Sequence, residues 1–497
     1  MQRILTVLMT VVILLFIITS LYVFEVWPFN PGGPIISNSN TSASTQQNTS
    51  QETADILGDN GIIRTKSYDE YMSRGKLLED KGYYSLAIAE FQAASQIAPT
   101  KADPLIQIGR MHIKESDYLK AKISFEEAIK IDPTSTTAKI YLGRSLLSLR
   151  QPEDAKKVFN SITSNDQSAL YYRGIIALYY GDYENGKNLL NESIKIGGSD
   201  EYTQKAKNFI SAFDEFKTYQ GGLPTHLKTL LARSFNQTGE YQLAIPLLYD
   251  VVKQKKDYRD AWILLGYSYL NIQKYQDAIE ALEEAKKLDS QKPETLFFLG
   301  LAYYGVNDFQ HAAQNLENAK KNGFQPSVQV DQKLAEIYLE MKNYKQSAAS
   351  YENVVALNDE DVNYFIRPIW IYLERLNQPH RAVALAQKAV NAHPDEAMSY
   401  NLLGWAQIGV RNYYEAESML KKALSMDPNL AAAYLNFGQL YEKQQKYEDA
   451  IAFYKKAYEM GNGSSISASA ADKYNQLIAN INTSRNNGTL KASLLNQ

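Results

Sequence analysis

AWILLGYSYLNIQKYQDAIEALEEAKKLD, residues 261–289, holds the reading of the whole chain. Its apolar residues recur at i, i+3, i+4 and i+7 on either side of a polar turn, Asn271-Ile272-Gln273-Lys274, so it reads as two amphipathic helices. Gly266, Ala278 and Ala285 interrupt the large apolar residues. A side chain beyond Cβ at such positions would hold two backbones apart, so these mark where the helix axes approach closely. Outward from this segment the same small residues return at a spacing of 34: Gly75, Gly109 and Gly143, then Gly266 and Gly300, then Gly404 and Gly438. Twelve positions after each comes an alanine: Ala87, Ala121, Ala155, Ala278, Ala312, Ala416 and Ala450. Large apolar residues follow, Phe91, Phe125, Phe159, Leu282, Leu316, Leu420 and Tyr454, and Pro99, Pro133, Pro394 and Pro428 close several units.

The order Trp262, Leu265, Gly266, Tyr269, Ala278 and Ala285 resembles the tetratricopeptide repeat (TPR) family, and the segment Ala433–Ala457 repeats the resemblance. Eleven units begin near Tyr68, Ala102, Thr136, Gln167, Thr225, Arg259, Pro293, Val328, Asn363, Ala397 and Ala431. One helical hairpin cannot cover its own apolar face, so successive hairpins are expected to stack into an all-α TPR solenoid.

Departures from the pattern divide the chain. From Gly143 to Gly174 the spacing shrinks to 31, which predicts a shortened second helix or turn. Between about Asp200 and Tyr219 runs an extra helix with Ala206, Phe209, Ile210, Phe213 and Phe216 on one face, and Gly221-Gly222-Leu223-Pro224 breaks it. The expected layout is a first block over 67–199, an irregular joint over 200–224 and a second block over 225–464. A capping helix follows over 465–484 and a disordered tail over 485–497. In the ninth unit Pro368 lies inside the first helix and Trp370 takes a position where a small residue is expected, which predicts a kink.

At the other end, the uncharged stretch 4–24, ILTVLMTVVILLFIITSLYVF, reads as one transmembrane helix, since as a helix it extends roughly 31 Å. Arg3 lies in the short segment 1–3, and no Lys or Arg occurs between Glu25 and Ile63. The positive-inside tendency therefore puts 1–3 in the cytoplasm and the repeats outside, in a single-pass protein of the cytoplasmic membrane. Residues 25–66 are poor in large apolar side chains and rich in Ser, Thr, Asn and Gln, which predicts a disordered tether.

Composition excludes several function classes. The net charge of -3 arises from acids and bases spread without a basic run, which argues against nucleic acid as a partner. With 0 Cys, thiolate chemistry and cysteine-based zinc sites are ruled out. His112, His226, His311, His380 and His393 fall in separate units, and no phosphate-cradling loop, nucleophile elbow or HExxH occurs, so neither a cofactor nor an enzyme is expected. The 36 tyrosines recur mostly at turns and packing positions, which makes them structural first.

What remains is surface. In the resembled family the first helix of each unit lines an inner groove. Its groove-facing phases here are Ile263, Tyr267 and Asn271, then Phe297, Leu301 and Tyr304, then Asn401 and Trp405, an aromatic set that marks a candidate protein-binding groove. Family members that clamp a terminal carboxylate use a Lys/Asn/Arg constellation that is not reproduced, although Arg110 and Arg144 can engage an acidic segment. The expectation is a scaffold for protein or peptide partners in an envelope or secretion complex, anchored to the membrane by its N-terminal helix. The alternative is an accessory subunit of a polysaccharide-synthesising or modifying system, with the groove on a sugar polymer.

Overall fold

The computed structural model describes residues 67–163, 166–218 and 223–486. Among them are 24 α-helices and no strand. No helix of the described residues is long and apolar enough to cross a membrane. The span expected at 4–24, the tether at 25–66, the Gly-Gly break at 221–222 and the tail from 487 lie outside the described residues.

The helices come in pairs that start where the register places them. The first repeat is α1 (Tyr68–Asp80) and α2 (Tyr84–Ile97), the second α3 (Asp103–Lys114) and α4 (Tyr118–Ile131), the third α5 (Thr136–Ser148) and α6 (Pro152–Asn160). The fourth repeat is α7 (Gln167–Tyr179) and α8 (Tyr183–Ile196), then comes the inserted α9 (Asp200–Thr218), and the fifth repeat is α10 (Pro224–Gln237) and α11 (Tyr241–Gln254). The sixth to eighth repeats run through α12 (Arg259–Asn271), α13 (Tyr275–Leu288), α14 (Pro293–Gly305), α15 (Phe309–Lys321), α16 (Ser327–Glu340) and α17 (Tyr344–Leu357). The last three are α18 (Asn363–Trp370) with α19 (Pro379–Ala392), α20 (Ala397–Gly409) with α21 (Tyr413–Met426), and α22 (Ala431–Lys443) with α23 (Tyr447–Gly461), closed by α24 (Ser465–Asn486).

Local chemistry explains these boundaries. Ser67 and Glu70 form a capping box that satisfies the first free amides of α1. Pro152, Pro224, Pro293 and Pro379 open their helices, where the missing N–H costs nothing. Between the two helices of a repeat one residue takes positive φ, and its position follows the repeat: Ser116, Arg150, Gln273, Asn307, Lys342, Asn377, Arg411 and Gln445, with Gly82, Gly181 and Gly239 in the other turns. The third repeat is short because α6 has 9 residues where α4 and α8 have 14.

In the ninth repeat Pro368 lacks the amide an α-helix needs, and the chain passes into a π turn over Ile371–Arg375, with Leu376 N–H donating to Ile371 O at 3.0 Å. The Trp370 ring, too large for a small-residue position, turns to the Arg375 guanidinium, 4.9 Å away.

The described residues fall into two compact units that divide between Leu264 and Leu265, within α12. The inserted α9 packs within the first unit. Phe209 is fully buried and meets the Phe235 ring at 4.9 Å and the Tyr171 ring at 6.4 Å, so α9 packs against both α7 and α10. Gln167 Nε2 donates to Ser199 O and Thr203 Oγ1, Ser234 Oγ donates to Asn208 O, and Arg233 pairs with Glu215. In the second unit the closing helix runs to Asn486, two residues beyond the expected limit, and covers the last repeat with Ala470, Leu477 and Ile481.

Candidate functional site: the first-helix faces

In the first unit Arg110 is already engaged. Its guanidinium pairs with Glu79 at 3.2 Å and donates to Gln107 at 2.5 Å. Arg144, on α5, lies instead inside a cluster that the sequence reading did not foresee. Tyr171 and Tyr172 are fully buried on α7, and Tyr202 of α9 meets their rings at 5.4 and 6.0 Å. The Arg144 guanidinium sits 5.4 Å from the Tyr141 ring. Burial raises both the Tyr171 and Tyr172 hydroxyls well above the ordinary tyrosine pKa, and the charge of Glu240 adds to the rise. Burial also opposes the charge on Arg144, but Tyr172 and Glu240 outweigh it, so the guanidinium is held firmly cationic. Burial raises the Glu240 carboxyl, and Arg144 and Lys205 offset part of that rise. Helix α5 also touches α11, the helix that follows Glu240. Ile263, the third candidate in this unit, is only 9% exposed.

The candidates of the second unit separate into two kinds. Phe297 and Asn401 are buried at 5% and 2% exposure. Phe297 stacks on Phe324, in the turn before α16, at 4.1 Å between rings, and Asn401 Oδ1 accepts from Asn436 Nδ2 at 2.8 Å, which ties α20 to α22. Tyr267, Leu301, Tyr304 and Trp405 are half-buried. Tyr267 rests on Phe298 at 5.1 Å, Tyr304 lies beside Phe309 at 5.9 Å with the Lys333 ammonium 4.7 Å above its ring, and Trp405 packs on the edge of the core that includes Phe365 and Tyr372. Asn271 turns inward and donates to Tyr267 O at 2.8 Å. Tyr267, Leu301 and Tyr304 belong to consecutive first helices, α12 and α14, whereas Trp405 stands on α20, three repeats after α14.

The tyrosines away from this face follow a rule of their own. Tyr303 Oη donates to Glu283 at 3.0 Å, Tyr338 Oη to Glu317, and Tyr372 Oη to Glu352 at 2.7 Å, each linking a first helix to the second helix of the preceding repeat. No group of three or more metal-ligating side chains is assembled among the described residues. His226 Nδ1 lies 3.0 Å from Tyr258 Oη, His311 Nδ1 pairs with Asp308, and His393 Nε2 meets Asp359 O at 2.6 Å, all local structural contacts.

Comparison with known proteins places these hairpins. Family models described as tetratricopeptide repeat match residues 112–179, 229–293, 332–361 and 403–465. No curated protein matches the chain. Among solved structures, yeast Tom70 is similar over 84% of this chain and 96% of its own at 14% identity, with a TM-score of 0.26. A tetratricopeptide repeat protein from Parabacteroides merdae is similar over 55% of this chain and 100% of its own at 15% identity, with a TM-score of 0.28. The complex titled Naa15/Naa10 bound to HypK-THB gives 12% identity, 86% and 88% coverage and a TM-score of 0.34.

Proposed function

We propose, for a chain built of tetratricopeptide repeats, that it is a scaffold docking protein partners on its first-helix faces, held at a membrane by the apolar segment 4–24. The observation that carries this reading is the row Tyr267, Leu301 and Tyr304, which keeps large apolar side chains half-exposed on consecutive helices whose other faces are packed. Rigid aromatic surface of this kind binds at low entropic cost. The hydrophobic length of 4–24 and the single Arg3 before it support a single-pass anchor with the repeats outside the cytoplasm, where a scaffold would collect components of an envelope or secretion complex. The absence of any catalytic constellation in the sequence supports a role without chemistry.

A photo-crosslinking residue placed at Tyr304 or Trp405 in intact cells tests the docking face. Tyr414, 86% exposed on the second helix α21, is the control position. Discrete protein adducts at Tyr304 and Trp405 and none at Tyr414 are expected. Adducts equal at all three positions, or adducts to polysaccharide alone, would overturn the reading. Release of the full chain from membranes by alkaline carbonate, or protection of the repeats from protease in intact spheroplasts, would overturn the anchor or its orientation.

A further inference from the structure

The first repeat lacks the neighbour that every later repeat has. The tenth residue of a unit falls in or just after its first helix, and in every repeat but the first it is at most 2% exposed, as at Met111, Ala302, Ile337 and Leu440. Its cover is the second helix of the repeat before. Met111 shares a core with Ala87, Ile88 and Phe91 of α2, Ala302 with Ala278, Ile279 and Leu282 of α13, and Ile337 with Ala312, Ala313 and Leu316 of α15. In the first repeat the tenth residue is Leu77, and it is 53% exposed.

The same end is bare on α2. Lys120, Ile123 and Glu127 of α4 share a recess with Gln92 and Gln96 of α2, the second helix before it. One repeat earlier these positions are Leu86, Ala89 and Ala93, with no described helix before them. Leu86 is 58% exposed, and Ile97 continues the stripe a turn beyond Ala93, also exposed. A terminal repeat needs a polar outer face to stay soluble, and the last repeat meets the demand by lying under α24. Leu77, Leu86 and Ile97 leave the first repeat without that solution.

We propose that residues 53–63 of this chain fold back over the open end and take the place of the missing second helix. Between 38 and 66 the only large apolar residues are Ile56, Leu57, Ile62 and Ile63, all close to the exposed end in sequence. The 34-residue register continues into them: one period before Phe91 and Ile88, which cover Met111, stand Leu57 and Ala54, and one period before Gln96 stands Ile62. Leu57 therefore lies on Leu77, and Ile62 on the α2 stripe. The reach suffices, since the stretch from Leu57 to Ser67 spans up to about 33 Å when extended, whereas Leu77 lies only about 15 Å along α1 from Ser67. Ser67 enters α1 in an extended conformation, so the chain arrives from outside the helix axis. If the segment 4–24 anchors the chain, the fold-back leaves 25–52 as spacer, but the contact itself does not depend on the anchor.

The chain holds 0 Cys, so an engineered pair reports one bond without background. In the full chain in detergent, Leu57→Cys with Leu77→Cys is treated with a short bis-maleimide beside Leu57→Cys with Lys76→Cys, whose second site is exposed one residue away on another face of α1. Rates are corrected for the reaction of each site with a monofunctional maleimide. Crosslinking within the chain is expected about tenfold faster for the first pair, because the tether alone gives both the same local concentration and docking adds to one. Leu77→Ser and Leu57→Ser should each lower the urea midpoint, and the double variant should lose less than the two losses added together. Equal crosslinking of the two pairs, an unchanged midpoint in Leu57→Ser, or losses that add in full would each overturn the proposal. Covalent dimers formed by Leu77→Cys alone as fast as the bond within the chain would overturn it too, and would give the open end to a second copy.

Discussion

A methyl group built on Gly300 would lie 2.6 Å from Leu316 Cγ, well inside the distance of a non-bonded carbon contact, and 3.1 Å from Ala312 O. The same relationship, a glycine on the first helix pressed by the large residue sixteen positions later, recurs at Gly75 with Phe91, Gly109 with Phe125, Gly266 with Leu282 and Gly438 with Tyr454. The 34-residue spacing in the sequence is therefore a spacing of contacts, in which one side chain is left out so that another can cross.

Gly300→Leu should overpack this crossing and cost about 1–3 kcal/mol, seen as a lower urea midpoint of the full chain. Leu316→Ala alone should also destabilise, by about 2–5 kcal/mol, because it leaves a cavity against the bare glycine. Gly300→Ala alone should also destabilise, and Gly300→Ala combined with Leu316→Ala should lose less than the losses of Gly300→Ala and Leu316→Ala added together. A double variant that loses the full sum would show that the two residues are not in contact.

The turn between paired helices makes a different demand. Gly82 has φ 77 and nothing within 4 Å of the place a Cβ would occupy. Gly82→Ala should therefore destabilise by about 1 kcal/mol through backbone strain alone, with no steric contribution. Gln273, at φ 58 in the equivalent turn of the sixth repeat, carries that strain already. Gln273→Gly should relieve part of it and raise the melting temperature, and a lower melting temperature would contradict the shared left-handed geometry.

How far the sequence could be read depends on which residues carry periodic information. Glycine and alanine at fixed intervals expose the hairpins directly, and Pro368 announces the broken ninth repeat, because backbone constraints are local. The cluster of Arg144, Tyr171, Tyr172, Tyr202 and Glu240 was not legible, because it is assembled from α5, α7, α9 and the turn before α11 by packing that no single period encodes. For the same reason Phe297 and Asn401, in the phase of a groove, lie within the packing: phase gives a direction on a helix, not what stands opposite it.

Alkaline pH should loosen the second unit. Burial, then the neighbouring carboxylates Glu283 and Glu352, push the Tyr303 and Tyr372 hydroxyls up to about 12, and burial with Glu336 does the same for Tyr351, against an ordinary value of 10.0. Between these values the unfolded chain has released protons that the folded chain still holds, so stability is fully present below pH 10 and falls as pH rises towards 12. Urea midpoints followed from neutral pH upward should decline from about pH 10, together with a delayed rise in tyrosinate absorbance of the native protein. Tyr372→Phe should make that decline shallower. Native tyrosines that all ionise near the ordinary value would remove the basis of the prediction.

The inserted helix gives the sharpest test of how the first unit holds together. If α9 were only a link between two blocks of repeats, truncating its apolar face would leave those blocks intact. Phe209 instead has no exposed surface, and its ring is held between Phe235 and Tyr171 on helices that belong to different repeats. Phe209→Ala removes one buried aromatic ring and both edge contacts, so a loss of about 3–5 kcal/mol is expected. Phe216→Ala, on the same helix but only half-buried, should cost much less. Hydrogen exchange should show the amides of α7 and α10 losing protection together in Phe209→Ala, since each relies on the same ring. Protection lost in α9 alone, with α7 and α10 unchanged, would mean that the helix is an appendage and that the repeats on either side of it stand without it.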